Sequence, residues 1–320
     1  MTSERSDGHY SEVRDDAGVP AVIWSQSYEV DLGPHVFVTA KYRLARERLL
    51  SDRTLGEGDF ISPIVATRDE LARAHTEQFL ARIETDSLSF DERVCLEVPL
   101  TKELREAMAL SCGGTLLTAR RALQDGVAVH LGGGFHHAYA GHGEGFCLYN
   151  DIAVAVRALQ AQDALKRSAV IDLDVHQGNG TAAIFADDDD VFTFSMHQSN
   201  NYPEVKPPST LDIALEDGTG DDDYLDLLDG ALLDVLLEPA PELIVYLAGA
   251  DPYEGDQLGG LSLTLEGLRR RDRMVLERAV ERSIPVAVLM AGGYAHQLDD
   301  TVSIHVATVE EAVRVTRAEP

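Results

Sequence analysis

Asp174 and His176 sit two residues apart, where the apolar run Ala169-Val170-Ile171-Asp172-Leu173-Asp174-Val175-His176 gives way to Gln177-Gly178-Asn179-Gly180-Thr181. A carboxylate and an imidazole are both ordinary zinc ligands, and a buried parallel strand delivers such groups at its C-terminal end. Alternate strand residues point the same way and stand roughly 6.6 Å apart, whereas two ligands on one ion bring their donor atoms within about 4 Å. An Asp and a His of different reach are expected to close that gap. Asp172, one step back on the same face, is placed to support a ligand rather than to be one. The segment also reads as a polar strand end capping the next helix, so on these residues alone both readings stand.

Other strand ends add candidates. Leu243 to Ala248 runs into Gly249-Ala250-Asp251, and Asp251 would complete a three-ligand set that leaves a position for water. Two carboxylates nearly neutralise a zinc ion, so its water is acidified less than in an all-histidine site and needs a neighbouring base. His136 and His137 meet that need. Neighbouring side chains face apart in regular structure, and Gly132-Gly133-Gly134 permits the irregular turn that lets both enter one pocket. Otherwise the two histidines are an ordinary loop pair. A neutral histidine takes a proton from water and returns it to a leaving amine, while one bonded to a carboxylate such as Asp172 stays protonated. Tyr294, after Gly292-Gly293, has the reach and the phenolic donor to complete an oxyanion hole, although tyrosines more often serve as core or rim.

These residues require a particular frame. Strands are expected at 21–25, 127–131, 169–174, 191–196, 243–248 and 286–290, and helical patterns at 36–50, 68–83, 102–123, 152–164, 222–237, 265–281 and 300–316. This alternation predicts an α/β fold of three layers, α/β/α, with a parallel sheet covered on both faces. Ligands of such sheets gather beyond the carboxyl ends of the strands. Every chemically unusual group noted above lies there, as does His197 after 191–196. We read a polar, disordered tail over 1–20 and a single domain over 21–320.

The 320 residues carry 55 acidic and 27 basic side chains, a net charge of -28, which excludes nucleic acid as a direct partner. Cationic amine substrates are compatible with that charge, and so is an acidic or saline cytoplasm. Cys95, Cys112 and Cys147 lack metal-type spacing and suit a reducing compartment. No stretch reaches about 18 uninterrupted apolar residues and no signal-type leader is present, so a cytoplasmic protein without membrane association is expected.

The blocks His130-Leu131-Gly132-Gly133-Gly134-Phe135-His136-His137-Ala138, Gly145-Phe146-Cys147-Leu148-Tyr149-Asn150-Asp151, Asp172 through Gly180, Gly249-Ala250-Asp251 and Gly292-Gly293-Tyr294 resemble, in order, the signature motifs of the zinc-dependent histone deacetylase family. Weaker similarity extends to Lys41-Tyr42-Arg43-Leu44 and the surroundings of His75. The chain is most similar to the class IV type and its bacterial relatives. The resemblance implies an arginase/deacetylase fold with about eight strands and a Zn2+ held by Asp174, His176 and Asp251. It implies roles in catalysis for His136, His137 and Tyr294, with His137 the better candidate for the acid/base. A structural K+ would lie at Asp172, Ser195, Met196 and the main chain of Asp174 and His176. Substrate-channel residues would be Phe146, Tyr202, Gly145 and Leu258, with Tyr202 facing Phe146 around an aliphatic lysine stem.

Many family members carry Asp where this chain has Asn179, so the histidine it orients should be less basic here. The activity implied is hydrolysis of the acyl amide of acyl-lysine in proteins or peptides. The alternatives are deacetylation of a small amine, such as an acetylpolyamine or a biosynthetic amide, and a non-catalytic binding module of the same fold. A binuclear manganese hydrolase of the related arginase type would need more carboxylates than the single Asp-x-His pair supplies.

Overall fold

The computed structural model describes residues 18–237 and 240–317. The tail expected over 1–20 therefore lies, except for its last three residues, outside the described residues. Eight strands form one parallel sheet: β1 (Ala21–Ile23), β2 (Phe60–Ile61), β3 (Val127–His130), β4 (Ser168–Asp172), β5 (Val191–Gln198), β6 (Leu211–Leu215), β7 (Leu243–Leu247) and β8 (Val286–Leu289), in the spatial order β2-β1-β3-β8-β7-β4-β5-β6. The inner strands are buried on both faces, which is why VAVH, SAVID, LIVYL and VAVL read as unbroken apolar runs.

The main helices are α1 (Lys41–Ser51), α2 (Arg68–Leu71), α3 (Glu77–Glu84), α4 (Phe90–Leu96), α5 (Lys102–Asp125), α6 (Asp151–Gln160), α7 (Asn179–Phe185), α8 (Asp221–Leu237), α9 (Leu265–Val280) and α10 (Leu298–Arg317). α5 packs on α6, while α1, α10, α9 and α8 pack in succession, giving the two helical layers around the sheet. α5 follows from its sequence: Thr101 caps it through Leu104 N–H and Gly126, at a positive φ, ends it. Among the described residues, no helix is long and apolar enough to cross a membrane.

The structure differs from the sequence-based expectations in several places, among them α7, which no expected helix covered. The helix expected over 68–83 is two, because the Thr76 hydroxyl accepts from Phe79 N–H and starts a new one. α4 was not expected, although Ser89 and Glu92 form a reciprocal capping box. β2 and β6 are edge strands, short or half-exposed, without the apolar run of a central strand. Finally, β4 ends at Asp172 rather than 174, since the Asp172 carboxylate accepts from Asp174 N–H and turns the chain out of the ladder.

Candidate active site

Four adjacent strands, β3, β8, β7 and β4, aim their carboxyl ends at one place. β3 leads to His136 and His137, β8 to Gly292 and Tyr294, β7 to Asp251, and β4 to Asp174 and His176. Asp174 and His176 do not converge as alternate strand residues. They lie beyond the strand in a bend where His176 Nδ1 approaches Asp174 Oδ1 to 3.0 Å. The same nitrogen is 3.4 Å from Asp251 Oδ2, and the three donor atoms all lie within 4.8 Å of one another.

This cluster fits a divalent cation on its own chemistry. All three residues are buried, yet Asp251 Oδ2 has no hydrogen-bond partner and only the 3.4 Å ion-pair contact with His176 faces it, so the oxygen keeps unused acceptor capacity for a cation. The other oxygens are fixed from behind: Val175 N–H donates to Asp251 Oδ1 at 2.9 Å and Gly292 N–H to Asp174 Oδ2 at 2.8 Å. A Cβ at residue 292 would stand 2.0 Å from Asp251 Oδ2 and 2.5 Å from Asp174 Oδ2, so glycine is required there by close approach. Burial, and then the Asp174 charge, raises Asp251 to about 7. Burial opposes a charge on His176, but Asp174 and Asp251 outweigh it and raise the imidazole to about 10. Both shifts show a negative pocket that seeks a cation, and two carboxylates with one imidazole form a donor set of zinc.

The tandem histidines enter from the glycine turn. Gly133 and Gly134 both have positive φ, and the turn hangs on Asp151, whose carboxylate accepts from Gly134 N–H at 3.0 Å and Phe135 N–H at 2.7 Å. His136 Nδ1 contacts Asp172 Oδ2 at 2.7 Å, His137 Nδ1 contacts Asn179 Oδ1 at 2.7 Å, and the two Nε2 atoms face each other at 3.1 Å. Burial penalises charge on both rings. Asp172 and Asp174 override it for His136, raised to about 9, whereas His137 is held well below the ordinary imidazole range by burial and by the charges of His136 and His176. The two histidines thus split into a charged and a neutral partner.

Tyr294 is placed by Asp256, which accepts from its backbone N–H at 2.6 Å, and its ring stands edge-on to Phe146 (5.8 Å) and Phe37 (6.3 Å). Burial, then Asp174 and Asp251, keeps its phenol protonated, well above the usual range. Phe146, Gly145 and Cys147 line the same cavity with Phe37, both histidines, Asp174, His176 and Tyr294. Phe146 stacks on Phe37 (6.2 Å, 13°). The Tyr202 ring packs edge-on against His137 at 4.9 Å, because its hydroxyl is tied to Glu144. Leu258 is not among the residues lining that cavity; its carbonyl accepts from Asn201. Asp172 pairs in register with Ser195 on β5, next to the buried Met196.

Three charged residues of the site carried little sequence signal. Lys41 is fully buried, donating to Ala291 O at 3.0 Å and to Gly293 O at 3.5 Å, so it staples the turn that carries Tyr294. Arg271 is fully buried although it lies in the Arg-rich α9, and it donates to Gly249 O at 2.6 Å beneath Asp251. Glu144 is marked in the sequence only as the one charged residue of a glycine-rich loop.

The chain is similar to known proteins over most of its length. The model of the histone deacetylase domain matches residues 35–309. An uncharacterized protein of Picosynechococcus sp. is 40% identical over 271 residues, covering 85% of this chain and 90% of its own length. Histone deacetylase 2 of Arabidopsis thaliana is 33% identical over 291 residues, covering 86% and 74% respectively. Among solved structures, the HDA15 HD domain superposes with a TM-score of 0.77 at 24% identity, covering 95% of this chain and 91% of the other, which shows a shared fold.

Proposed function

Since the chain belongs to the histone deacetylase family of hydrolases, we propose that it is a zinc-dependent deacylase that cleaves the acyl amide of acyl-lysine in a protein or peptide. The observation that carries this reading is the buried Asp174, His176 and Asp251 cluster, with its unpartnered Asp251 oxygen, set directly beside a charged and a neutral histidine. Asp174, His176 and Asp251 would hold the zinc, which when bound supplies Lewis acidity, polarising an amide carbonyl and making water more acidic.

The remaining work falls to side chains. His137, neutral with Nε2 free of its Asn179 bond, accepts a proton from the attacking water and returns it to the departing amine. His136, kept charged by Asp172, offsets the negative charge that develops. The Tyr294 hydroxyl, protonated at working pH, donates to the oxyanion. Phe146 and Phe37 form the apolar wall for an aliphatic stem. Asp172, with Ser195, Met196 and the main chain of Asp174 and His176, is the proposed potassium site, which would stiffen the strand ends that carry the zinc ligands.

A second reading, a small acylated amine as substrate, is favoured by the net charge of -28, which attracts cations. Turnover of zinc-loaded protein on acetyl-lysine and longer acyl-lysine peptides, beside acetylated polyamines, separates the two. Inactivity on the whole panel by folded, zinc-loaded protein overturns the hydrolase reading.

A further inference from the structure

Asn179 meets His137 through a side chain whose two ends are nearly the same shape but of opposite hydrogen-bonding sense. Something must hold it oxygen-first, because only then does His137 Nδ1 carry the proton and leave Nε2 with its lone pair. Glu144 stands at the other end of the amide. Asn179 Nδ2 donates to Glu144 Oε1 at 2.7 Å, and the Tyr202 hydroxyl donates to the same oxygen at 2.8 Å. His142 Nε2 lies 3.2 Å from Glu144 Oε2. Burial disfavours the carboxylate, but the hydrogen bonds from His142, Tyr202 and Asn179 outweigh that and keep it ionised. An ionised carboxylate only accepts, so a flipped amide would set two oxygens against each other.

We infer that Glu144 is a positioning residue: acting through the Asn179 amide it fixes the tautomer of His137, and through the Tyr202 hydroxyl it holds an aromatic wall against the same imidazole. The donor order runs in one direction. Asn179 gives its N–H to Glu144, His137 gives Nδ1–H to Asn179, and the bare Nε2 of His137 faces His136 Nε2 at 3.1 Å, which must then donate. The loop is shaped for this. Glu144 N–H donates to Cys147 O at 3.0 Å, anchoring the residue, and a Cβ at position 145 would stand 2.8 Å from His137 Cδ2 and 3.0 Å from Tyr202 Cε1. Glycine at 145 therefore lets the ring and the tyrosine close up around the path from Glu144 to His137.

The inference rests on His137 as the base, and its test keeps the two apart. In the full-length, zinc-loaded protein, Glu144→Ala should lower kcat about tenfold or more with KM little changed and zinc content and Tm retained. Asn179→Asp alone sets a second carboxylate against Glu144 and should also lower kcat. The double variant Glu144→Gln with Asn179→Asp restores one charge and one donor in reversed places, and should recover most of the wild-type kcat, which a merely structural role for Glu144 would not produce. Nitrogen-15 NMR reads the tautomer without turnover: wild-type His137 should be in the Nδ1–H form, and Glu144→Ala should show a mixture. An unchanged kcat in Glu144→Ala, a double variant no better than Asn179→Asp, or a wild-type His137 protonated on Nε2 would each overturn the inference. If the wild type hydrolyses no acyl amide, the functional reading fails while the NMR result still decides this one.

Discussion

His136 Nε2 and His137 Nε2 face each other at 3.1 Å, a separation at which one nitrogen must donate and the other accept. Asp172 behind His136 and uncharged Asn179 behind His137 decide which: His136 carries the extra proton. Activity then needs His137 neutral and His136 charged. The first condition holds above a depressed His137 pKa, so the acid limb of kcat/KM should lie below pH 6.5. The second is lost as pH rises through about 9, and a divalent cation in the cluster moves that basic limb acidward. A pH profile of kcat/KM checks this, and a maximum above pH 9 would contradict it. His137→Ala should cost roughly 10²–10⁴ in kcat, the range of a lost general base.

Gly292 makes a sharper test of the metal cluster than removal of a ligand does. Its missing Cβ is the space that Asp251 Oδ2 and Asp174 Oδ2 occupy. Gly292→Ala should therefore abolish stoichiometric zinc by elemental analysis while circular dichroism stays native. Full zinc occupancy in that variant would show that the cluster is looser than its geometry.

Metal and proton compete for the same oxygens, and the sign of the competition is fixed. Asp251 in the metal-free protein is raised to about 7, so its contribution to stability is full below the unfolded carboxylate value of about 3.9 and is lost as pH rises from there to about 7. His176, raised to about 10, acts in the same direction above pH 6.5. Stripped protein should thus lose stability from this cluster between about pH 5 and 8. Zinc at 100 times its Kd should add about 2.7 kcal/mol, with an affinity that strengthens over the same window. Thermal melts with and without zinc at several pH values test both, and a zinc shift larger at pH 5 than at pH 8 would refute the assignment.

Tyr294→Phe removes one donor and leaves the ring against Phe146 and Phe37. A loss of roughly 10²–10³ in kcat, typical of an oxyanion donor, is expected with zinc content unchanged. Unaltered turnover would remove the role.

Much of this site was legible because parallel central strands are buried on both faces. Their apolar runs mark where they stop, and the polar residues after Leu131, Ala248 and Met290 stand out against them. The same logic fails at the edges, where Leu211–Leu215 alternates in burial and shows no such run. It also placed Asp174 on a strand, missing that the Asp172 carboxylate competes for the Asp174 N–H. The orientation of Tyr202 depends on Glu144, 58 residues away, and no local pattern encodes that hydrogen bond.

Lys41 is the extreme case, since its acceptors at Ala291 and Gly293 lie about 250 residues along the chain. Burial lowers its pKa to about 8, even though Asp251, Asp174 and Asp256 favour the charge. An unfolded lysine keeps its proton to about pH 10.4, so between about 8 and 10.4 the folded protein holds fewer protons and becomes more stable as pH rises. Lys41→Met removes that slope. It also leaves two carbonyls without their donor and loosens the turn bearing Tyr294, whose ring centroid is 5.5 Å from Nζ. Denaturation of both proteins at pH 8, 9 and 10 should show the wild type gaining stability relative to the variant as pH rises, because the other groups that titrate there are common to both, while kcat falls with KM little altered. A variant that kept both the slope and kcat would mean that the buried ammonium neither titrates in this range nor supports the tyrosine.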